Sequence, residues 1–387
     1  MLLLGARQVG KTTLIEHLYP TALHYHFADP RERLRIARDP SLLIDEVRAR
    51  LPRGGKFLID EVQKIPLIFD ALQVLLDQRS PRYTAILTGS SARQLKRGAV
   101  NTLPGRVLQL QLGPLSAHEL GYYAERSPTQ RARQLLHMLT FGTLPGIQSL
   151  PATRASRHLQ SYVQTYLEQE ILGDALTKDV GQFARFLSVM AARAGQILHY
   201  TNLSQSAGAS VNTIKHHVGV LVDTMTATLI PGFSLSDTAA WLSTPRLLLF
   251  DLGVRNAAAE RVLQPAALAA EYGPLFEQWV GLELLHWMRN RVPQPRLYYW
   301  RTTQHREVDW VIACGKKILA LEIKWADQWR AGDLNHLSAL RSELKARGYR
   351  VTTGLVCRTP HEAVHDHHHI LPPHQLWDCL QTWGEKN

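Results

Sequence analysis

A glycine-rich segment near the start of the chain has the residue types and spacing of a phosphate-binding loop. It runs from Gly5 to Thr12 as Gly-Ala-Arg-Gln-Val-Gly-Lys-Thr and fits the pattern G-x-x-x-x-G-K-[ST] in full. Glycines let the backbone curl around phosphates with its N–H groups pointing inward. A helix that begins near Lys11 would add its positive dipole end. The motif lies between a strand-like run and a helix-like run, as its context requires, and it predicts that the loop binds the phosphates of a nucleotide.

The residues of this loop have distinct expected roles. Lys11 is expected to reach the β- and γ-phosphates, and Thr12 is expected to place its hydroxyl on Mg²⁺. A chance glycine turn is the alternative interpretation. The predicted nucleotide-binding residues are Gly5, Ala6, Arg7, Gln8, Val9, Gly10, Lys11, Thr12, Thr13 and Asp60.

Two carboxylates follow an apolar run further along the chain. Phe57-Leu-Ile is followed directly by Asp60 and Glu61. Asp60 is predicted to hold Mg²⁺, directly or through water, and Glu61 is predicted to orient or deprotonate the attacking water. A strand end whose carboxylates are merely solvated is the alternative.

The next apolar run and the segment after it supply further candidates. Thr84–Leu87 is followed by Thr-Gly-Ser-Ser, and Ser90 is predicted to contact the γ-phosphate or the attacking water. Arg106 is a candidate arginine finger, a cation that stabilises the charge of the transferring phosphoryl group. Arg93 is the alternative for that role, and either residue can instead be an ordinary surface arginine.

A second group of carboxylates lies near the C-terminus, in a predicted β-hairpin. The runs 307–312 and 318–324 flank Gly315-Lys316, and a two-residue Gly-X loop suits a tight hairpin. The loop would pair Cys314 with Lys317, and the continued register would place Asp309 opposite Glu322.

Such a hairpin would bring two carboxylates and an amine together. Glu322 and Lys324 are two residues apart and therefore share one face of a strand. Asp309 and Glu322 would then hold a second Mg²⁺, Lys324 would polarise a water or a scissile phosphate, and Glu277 on a nearby helix would add a carboxylate. Cross-strand ion pairs without metal are the alternative.

A short segment in the middle of the chain has the pattern helix–turn–helix. Residues 201–207 precede Gly208, and residues 210–221 carry apolar side chains at positions 211, 214, 218 and 221. The opposite face would present Asn212, Thr213, Lys215, His216 and His217. The second helix would enter the major groove of DNA, or the unit would only pack domains or bind protein.

Composition and charge limit the class of protein. The chain has 387 residues, 45% of them apolar and 20% charged, which excludes disordered, collagen-like and disulfide-scaffold proteins. Its net charge of +11 makes nucleic acid the first polyanion to consider as a partner, DNA more than RNA. The three cysteines form no C-x-x-C pair, and no signal peptide or membrane-spanning run is visible. We expect a cytoplasmic protein without a membrane partner.

Strands alternate with helices in the first 125 residues, which predicts a layered α/β domain with a mainly parallel sheet. The predicted strands are 1–4, 24–27, 56–59, 84–87 and 107–112. The predicted domains are an α/β nucleotide-binding domain (1–125), a helical lid and linker (126–190), a winged-helix-like segment (191–262) and an α/β domain (263–387). The histidine-rich tract 361–369 is predicted to be a polar loop, with a metal site as the alternative.

These segments together resemble the bacterial and archaeal AAA-type P-loop ATPases that carry a C-terminal domain with a restriction-endonuclease-like core. The matching segments are 3–14, 59–64, 87–91, 103–106, 114–116, 273–277, 307–309 and 321–324. The resemblance implies ATP as the nucleotide, a winged helix, and Arg106 acting from a neighbouring chain in a homo-oligomer. Related proteins usually have some tens of residues before the first strand, which here starts at Met1.

The C-terminal hairpin is similar to the PD-(D/E)xK nuclease core, with Val308 in place of the proline. The leading hypothesis is a Mg²⁺-dependent ATPase that acts with or on nucleic acid. The alternatives are a nucleotide-switched module that binds a protein partner with little turnover, and an ATP-gated nuclease.

Overall fold

The computed structural model describes residues 1–77, 80–90, 107–124, 126–166, 179–234 and 244–385. The chain divides into two compact units, the first formed by residues 1–114 with 221–226 and the second by residues 115–220 with 227–387. None of the helices in the described ranges combines the length and the apolar content needed to cross a bilayer.

The first unit is a parallel sheet with helices between its strands. The strands are β1 (Leu2–Leu4), β2 (Leu23–His26), β3 (Gly55–Asp60), β4 (Tyr83–Gly89) and β5 (Gln109–Gln111). The helices are α1 (Lys11–Leu18), α2 (Pro30–Arg38), α3 (Ser41–Arg50) and α4 (Ile68–Leu76), with a 3₁₀ turn at Val62–Lys64. The alternation read from the sequence agrees with these elements.

The strand order of the first unit brings its predicted functional segments to one edge. The order is β2-β3-β4-β1-β5, and every neighbouring pair is parallel. The carboxyl ends of parallel strands meet at the same edge, where ligands bind in open α/β sheets. Since β4 lies between β1 and β3, residues 88–90 lie between the glycine-rich loop and the pair Asp60–Glu61. Buried apolar side chains of both sheet faces, such as Phe57 and Ile59 on one and Leu58 on the other, hold this sheet in place.

The second unit combines a helical part with a mixed sheet. Its helices are α5 (Pro128–Phe141), α6 (Ala152–Tyr166), α7 (Val180–Ala192), α8 (Tyr200–Ala207), α10 (Leu252–Ala258), α11 (Tyr272–Met288), α12 (Asn335–Ala346) and α13 (Leu376–Glu385). Helix α9 (Val211–Asp223) follows α8 along the chain. The strands are β6 (Ala227–Ile230), β7 (Arg246–Leu249), β8 (Arg296–Arg301), β9 (Glu307–Cys314), β10 (Lys317–Lys324), β11 (Arg350–Cys357), β12 (Ala363–His365) and β13 (His368–Leu371).

The larger sheet of the second unit has the strand order β12-β13-β11-β10-β9-β8 and packs against α11. Strands β9 and β10 are antiparallel, with Cys314 paired to Lys317, the register predicted from the Gly315-Lys316 loop. Helix α11 approaches β9 closely because Gly281 has no side chain: a Cβ there would lie 2.6 Å from the Trp310 ring. This close packing fixes Glu277, one turn earlier on α11, beside the hairpin.

The predicted helix–turn–helix is present, but one side chain of its second helix is on the unexpected face. Helices α8 and α9 are separated by a turn at Gly208, which has a left-handed conformation. Ile214 and Val218 are buried as predicted. His217, expected on the exposed face, is only 1% exposed and packs against the rings of Phe183 and Phe186. The expectation was wrong because helix α7 covers that side of α9.

The histidine-rich tract is a short hairpin rather than a loop. Strands β12 and β13 pair antiparallel, and Asp366 and His367 have positive φ angles at the turn. His368 is buried, where it contacts Ser338, while His369 is exposed on the opposite face. Side chains that alternate between buried and exposed therefore show a strand where a loop was expected. The division of the sequence into four domains stays a prediction.

Candidate functional site

The glycine-rich loop is held in its curved shape by its own lysine. The Nζ atom of Lys11 donates to the carbonyl oxygens of Gly5 at 2.9 Å and Ala6 at 2.8 Å. Gly10 has φ 92°, a conformation that favours glycine, and precedes the first residue of α1. Gly5 is required for a second reason, because a Cβ there would lie 2.4 Å from the carbonyl oxygen of Leu112. The loop therefore ends at the amino terminus of α1 with its lysine ammonium inside the curve.

A carboxylate from β3 meets the hydroxyl of the loop's threonine. Thr12 Oγ1 donates to Asp60 Oδ2 at 2.9 Å, and Thr88 Oγ1 donates to the other carboxylate oxygen. Asp60 is only 5% exposed, so these hydroxyls replace most of the water it would otherwise bind. A hydroxyl beside a carboxylate is a donor set that suits Mg²⁺, which prefers oxygen ligands and keeps several waters.

The second carboxylate of the pair belongs to a separate cluster. Glu61 has a left-handed backbone, with φ 56° and ψ 47°, and its N–H donates to Thr88 Oγ1 at 3.1 Å. Ser90 Oγ donates to Glu61 Oε2 at 3.1 Å, and the side-chain amide of Gln63 donates to the same oxygen. The turn thus directs Glu61 away from Asp60 and towards Ser90. The structure therefore brings Glu61 and Ser90, both predicted to be catalytic, together.

Sequence reasoning missed Thr88 and Gln63 as members of this site. Thr88 follows Leu87 at the end of the predicted strand, and its position beside Ser90 was the available signal. Gln63 lies two residues after Glu61 in a 3₁₀ turn, within the matching segment 59–64, but no role was assigned to it. The candidate finger Arg106 and its alternative Arg93 lie outside the described residues.

The C-terminal carboxylates also lie close together. Asp309 accepts a hydrogen bond from the backbone N–H of Ile323 at 2.8 Å, which places it beside β10. Lys324 Nζ lies 2.8 Å from Glu322 Oε1, so these two residues form an ion pair on one strand. The side chain of Trp310 donates to the carbonyl of Glu277 at 3.0 Å and links α11 to β9.

An arginine that the sequence analysis did not identify neutralises part of this cluster. Arg246 lies at the start of β7, is only 4% exposed, and contacts Glu277 at 2.5 Å. Its other terminal nitrogen donates to Glu307. The only available signal was a single cation that begins the apolar run 246–250. A cavity of about 390 Å³ beside it is lined in part by Arg246, Glu277, Arg301 and Glu307.

Burial and a neighbouring negative charge disfavour the ionised forms of Glu322 and Glu277 in this cluster. Burial and the nearby charge of Asp309 raise the pKa of Glu322 to about 8. Burial and Asp309 likewise raise the pKa of Glu277 to about 8, although Arg246 opposes the shift. Glu322 Oε2 is buried without a hydrogen-bond partner among the described atoms. An orphaned carboxylate oxygen near the charge of a second carboxylate is a donor set that a divalent cation would satisfy.

Comparisons with known proteins agree with the first of these two sites. Residues 1–121 match a family model described as an AAA domain. Residues 132–264 match a domain of unknown function (DUF8612), and residues 272–375 match another (DUF4143).

The individual relatives have no described activity. Proteins from Mycobacterium bovis and Mycobacterium tuberculosis, each described as an uncharacterized protein, are 26% identical over 328 residues, or 84% of this chain and 70% of theirs. A crystal structure of a Vibrio cholerae protein aligns with 99% of this chain and 98% of its own at 14% identity, with a TM-score of only 0.23. The comparisons therefore support a nucleotide-binding, ATPase-like AAA domain at the N-terminus.

Proposed function

We propose that the N-terminal unit binds ATP with Mg²⁺ and hydrolyses it. The observation that carries the proposal is the arrangement at the carboxyl edge of the parallel sheet, where Thr12 donates to Asp60 and Ser90 donates to Glu61. One pair supplies oxygen ligands for a cation. The other supplies a base with a fixed orientation. The match of residues 1–121 to an AAA domain supports the same function.

The residues of this site would have the following roles in ATP hydrolysis. Lys11 and the N–H groups of the loop would bind the β- and γ-phosphates, and Thr12 and Asp60 would hold Mg²⁺. The cation would offset the charge that develops on the phosphates. Glu61 would accept the proton of the attacking water, and Ser90 would keep its carboxylate in position. Gln63 is a positioning residue, because it contacts Glu61 and Ser90.

Turnover of ATP by the full chain tests this proposal. Phosphate release is measured with Mg²⁺, and in parallel with EDTA, and we expect release only when Mg²⁺ is present. Tight ATP binding without phosphate release would instead support a nucleotide-switched module that binds a protein partner. Neither binding nor release would contradict both interpretations.

We further propose that double-stranded DNA is the target on which the ATPase acts. The net charge of +11 supports a polyanionic partner. In the second unit, Lys215 is exposed on α9, the second helix of the helix–turn–helix, where it can reach a phosphate backbone. DNA that raises the rate of phosphate release would support this target. A rate of phosphate release that is unchanged by DNA and RNA, together with undetectable binding of either nucleic acid at low salt, would contradict it.

A nuclease site at the C-terminal hairpin is the second candidate function. The orphaned oxygen of Glu322 and the nearby charge of Asp309 favour it because a divalent cation would satisfy both carboxylates. The ion pairs of Lys324 with Glu322 and of Arg246 with Glu277 favour the alternative, in which the cluster is neutralised by the protein itself. Plasmid cleavage by the full chain with Mn²⁺ distinguishes these functions, with Lys324→Ala as the control. Plasmid that stays intact under all conditions would support the alternative, in which these carboxylates have only a structural role.

A further inference from the structure

Two histidines and a glutamate meet on the first unit, outside the nucleotide-binding residues. His24 and His26 are two residues apart on β2, so their side chains lie on the same face of the strand. Glu16 lies on α1, and its Oε1 atom is 3.6 Å from Nδ1 of His24 and 3.6 Å from Nε2 of His26. One atom from each of the three residues lies within 4.8 Å of the others.

These distances are close to those of a filled metal site. Zinc binds histidine nitrogen and carboxylate oxygen at about 2.0–2.2 Å, so neighbouring ligand atoms of a tetrahedral site are roughly 3.3–3.5 Å apart. The two distances of 3.6 Å from Glu16 need only a small contraction. The ring centroids of His24 and His26 are 3.6 Å apart, so the two imidazoles are close neighbours that would turn apart to present their nitrogens to one ion.

The second nitrogen of the His26 ring lies near a carboxylate, although beyond hydrogen-bond distance. When a histidine binds a metal, its other ring N–H commonly faces a carboxylate, which fixes the tautomer and the ring orientation. Nε2 of His26 faces Glu16, and Nδ1 lies 3.9 Å from Asp60 Oδ2. Asp60 is itself held by the hydroxyl of Thr12 at 2.9 Å. This histidine thus links the cluster to a fixed carboxylate.

We propose that Glu16, His24 and His26 form a binding site for a divalent transition metal of the zinc class. Two imidazoles and one carboxylate form a ligand set for zinc that leaves a fourth position for water. Imidazole nitrogens suit zinc, nickel, copper and iron, whereas Mg²⁺ requires oxygen ligands. The site is therefore chemically distinct from the cation site at Thr12 and Asp60.

Partial exposure makes the site accessible to ions in solution. The side chains of Glu16 and His26 are 48% and 42% exposed, and that of His24 is 16% exposed. In a simple surface ion pair the glutamate would contribute little to stability. The ion-pair interpretation predicts that metal binds this unit no better than other exposed carboxylates and histidines.

Zinc titration of the metal-stripped full chain, in buffer with excess Mg²⁺ and without nucleotide, tests the proposal independently of ATP hydrolysis. Calorimetry should detect a zinc site that Mg²⁺ does not displace, and Co²⁺ at the same site should give the visible absorption of a tetrahedral complex. Glu16→Gln and His24→Ala should each weaken this binding by at least about 10–100-fold. Because Glu16 is exposed, Glu16→Gln tests the site even if His24→Ala fails to fold.

The histidine-rich hairpin provides the matched control. His367 and His369 are exposed and belong to the tract that also has histidines available for metal. The double variant His367→Ala/His369→Ala should keep the zinc affinity and the Co²⁺ spectrum of the wild type. Binding that is lost in this control and kept in Glu16→Gln would overturn the proposal. Absence of any zinc binding that survives excess Mg²⁺ would overturn it as well.

Discussion

Thr12 and Asp60 are joined by a hydrogen bond of 2.9 Å, although they lie in different motifs separated by 48 residues. Thr12 is in the first turn of α1, and Asp60 is the last residue of β3. The parallel order of the sheet brings the two side chains to the same edge. Each residue was assigned to Mg²⁺ from its own motif, so their contact is the arrangement that a shared cation requires.

Replacing Lys11 with alanine should weaken ATP binding strongly. Lys11 is only 6% exposed, and its ammonium lies inside the loop, where it would contact phosphate oxygens. A hydrogen bond to a charged group contributes about 1.5–3 kcal/mol, which corresponds to roughly 10–100-fold in affinity. Calorimetric titration of ATP measures the change, and Lys56→Ala on β3 is the matched surface control. Equal losses in the two variants would refute the role of Lys11.

Replacing Glu61 with glutamine should preserve ATP binding and reduce turnover. The amide keeps the shape of the side chain and a hydrogen-bonding oxygen for Ser90, but it cannot accept a proton from water. General-base catalysis contributes about 10²–10⁴-fold, and we expect a loss in that range. Single-turnover phosphate release measures it, with the exposed Glu343→Gln in the second unit as control. A variant that turns over ATP at the wild-type rate would exclude Glu61 as the base.

Replacing Arg246 with methionine should destabilise the second unit. The buried cation contacts Glu277 and Glu307, and its loss would leave Glu277 without this counter-ion and Glu307 with only the more distant Arg301, at a cost of roughly 3–5 kcal/mol. The sequence of the first unit contains no tryptophan, and the tryptophans among the described residues all belong to the second unit, so tryptophan fluorescence during urea unfolding reports on the second unit.

Arg301→Met is the control for this experiment. Arg301 also approaches Glu307, at 3.8 Å, but it lies on the surface and should contribute about 0–1 kcal/mol. If both variants unfold at the same urea concentration, Arg246 is not the principal counter-ion of the cluster.

The stability of the second unit should depend on pH through Glu322. Its pKa is raised from 4.5 to about 8 by burial and by Asp309, so the folded state favours the protonated carboxyl. This contribution to stability is fully present below pH 4.5 and is lost as the pH rises towards 8.

Glu322→Gln isolates this effect from other titrating groups. The variant has one titrating group fewer, so its free energy of unfolding should fall less steeply than that of the wild type between these pH values. The slopes should differ by at most about 1.4 kcal/mol per pH unit. Urea unfolding at several pH values measures both slopes, and parallel slopes would show that Glu322 does not titrate in this interval.

Lys215→Ala should weaken DNA binding uniformly across sequences if this residue contacts a phosphate. Losing one phosphate contact should reduce the slope of log affinity against log salt by about 1. Fluorescence anisotropy with double-stranded DNA at several salt concentrations measures this slope. Lys345→Ala, an exposed lysine on α12, is the control. Identical salt slopes for wild type and Lys215→Ala would contradict a contact between Lys215 on α9 and DNA.

Local patterns were sufficient for much of the nucleotide site and of the C-terminal hairpin. The loop from Gly5 to Thr12 fixes its own curvature, and the turn at Gly315-Lys316 fixes the pairing of Cys314 with Lys317. The contacts of Lys11 with Gly5 and Ala6 and the pairing of Cys314 with Lys317 join residues that are close in the sequence, so the pattern of residue types predicts them directly.

Contacts between distant residues were not predictable in this way. Arg246 meets Glu277 and Glu307, which are 31 and 61 residues away, and no periodicity connects them. His217 is buried because Phe183 and Phe186 of another helix surround it, whereas helical spacing alone distinguishes only one apolar stripe. Charge pairing and ring packing of this kind depend on tertiary structure, which a single sequence does not encode in a local motif.

The position of Arg246 limits how the second unit can be divided or exchanged between proteins. The arginine belongs to residues 132–264, and its carboxylate partners Glu277 and Glu307 belong to residues 272–375, two segments that match different family models. A truncation or a natural recombination between them would separate a buried cation from its anions. We therefore expect the two segments to tolerate exchange only as a pair, and a substitution of Arg246 to require compensating changes at Glu277 and Glu307.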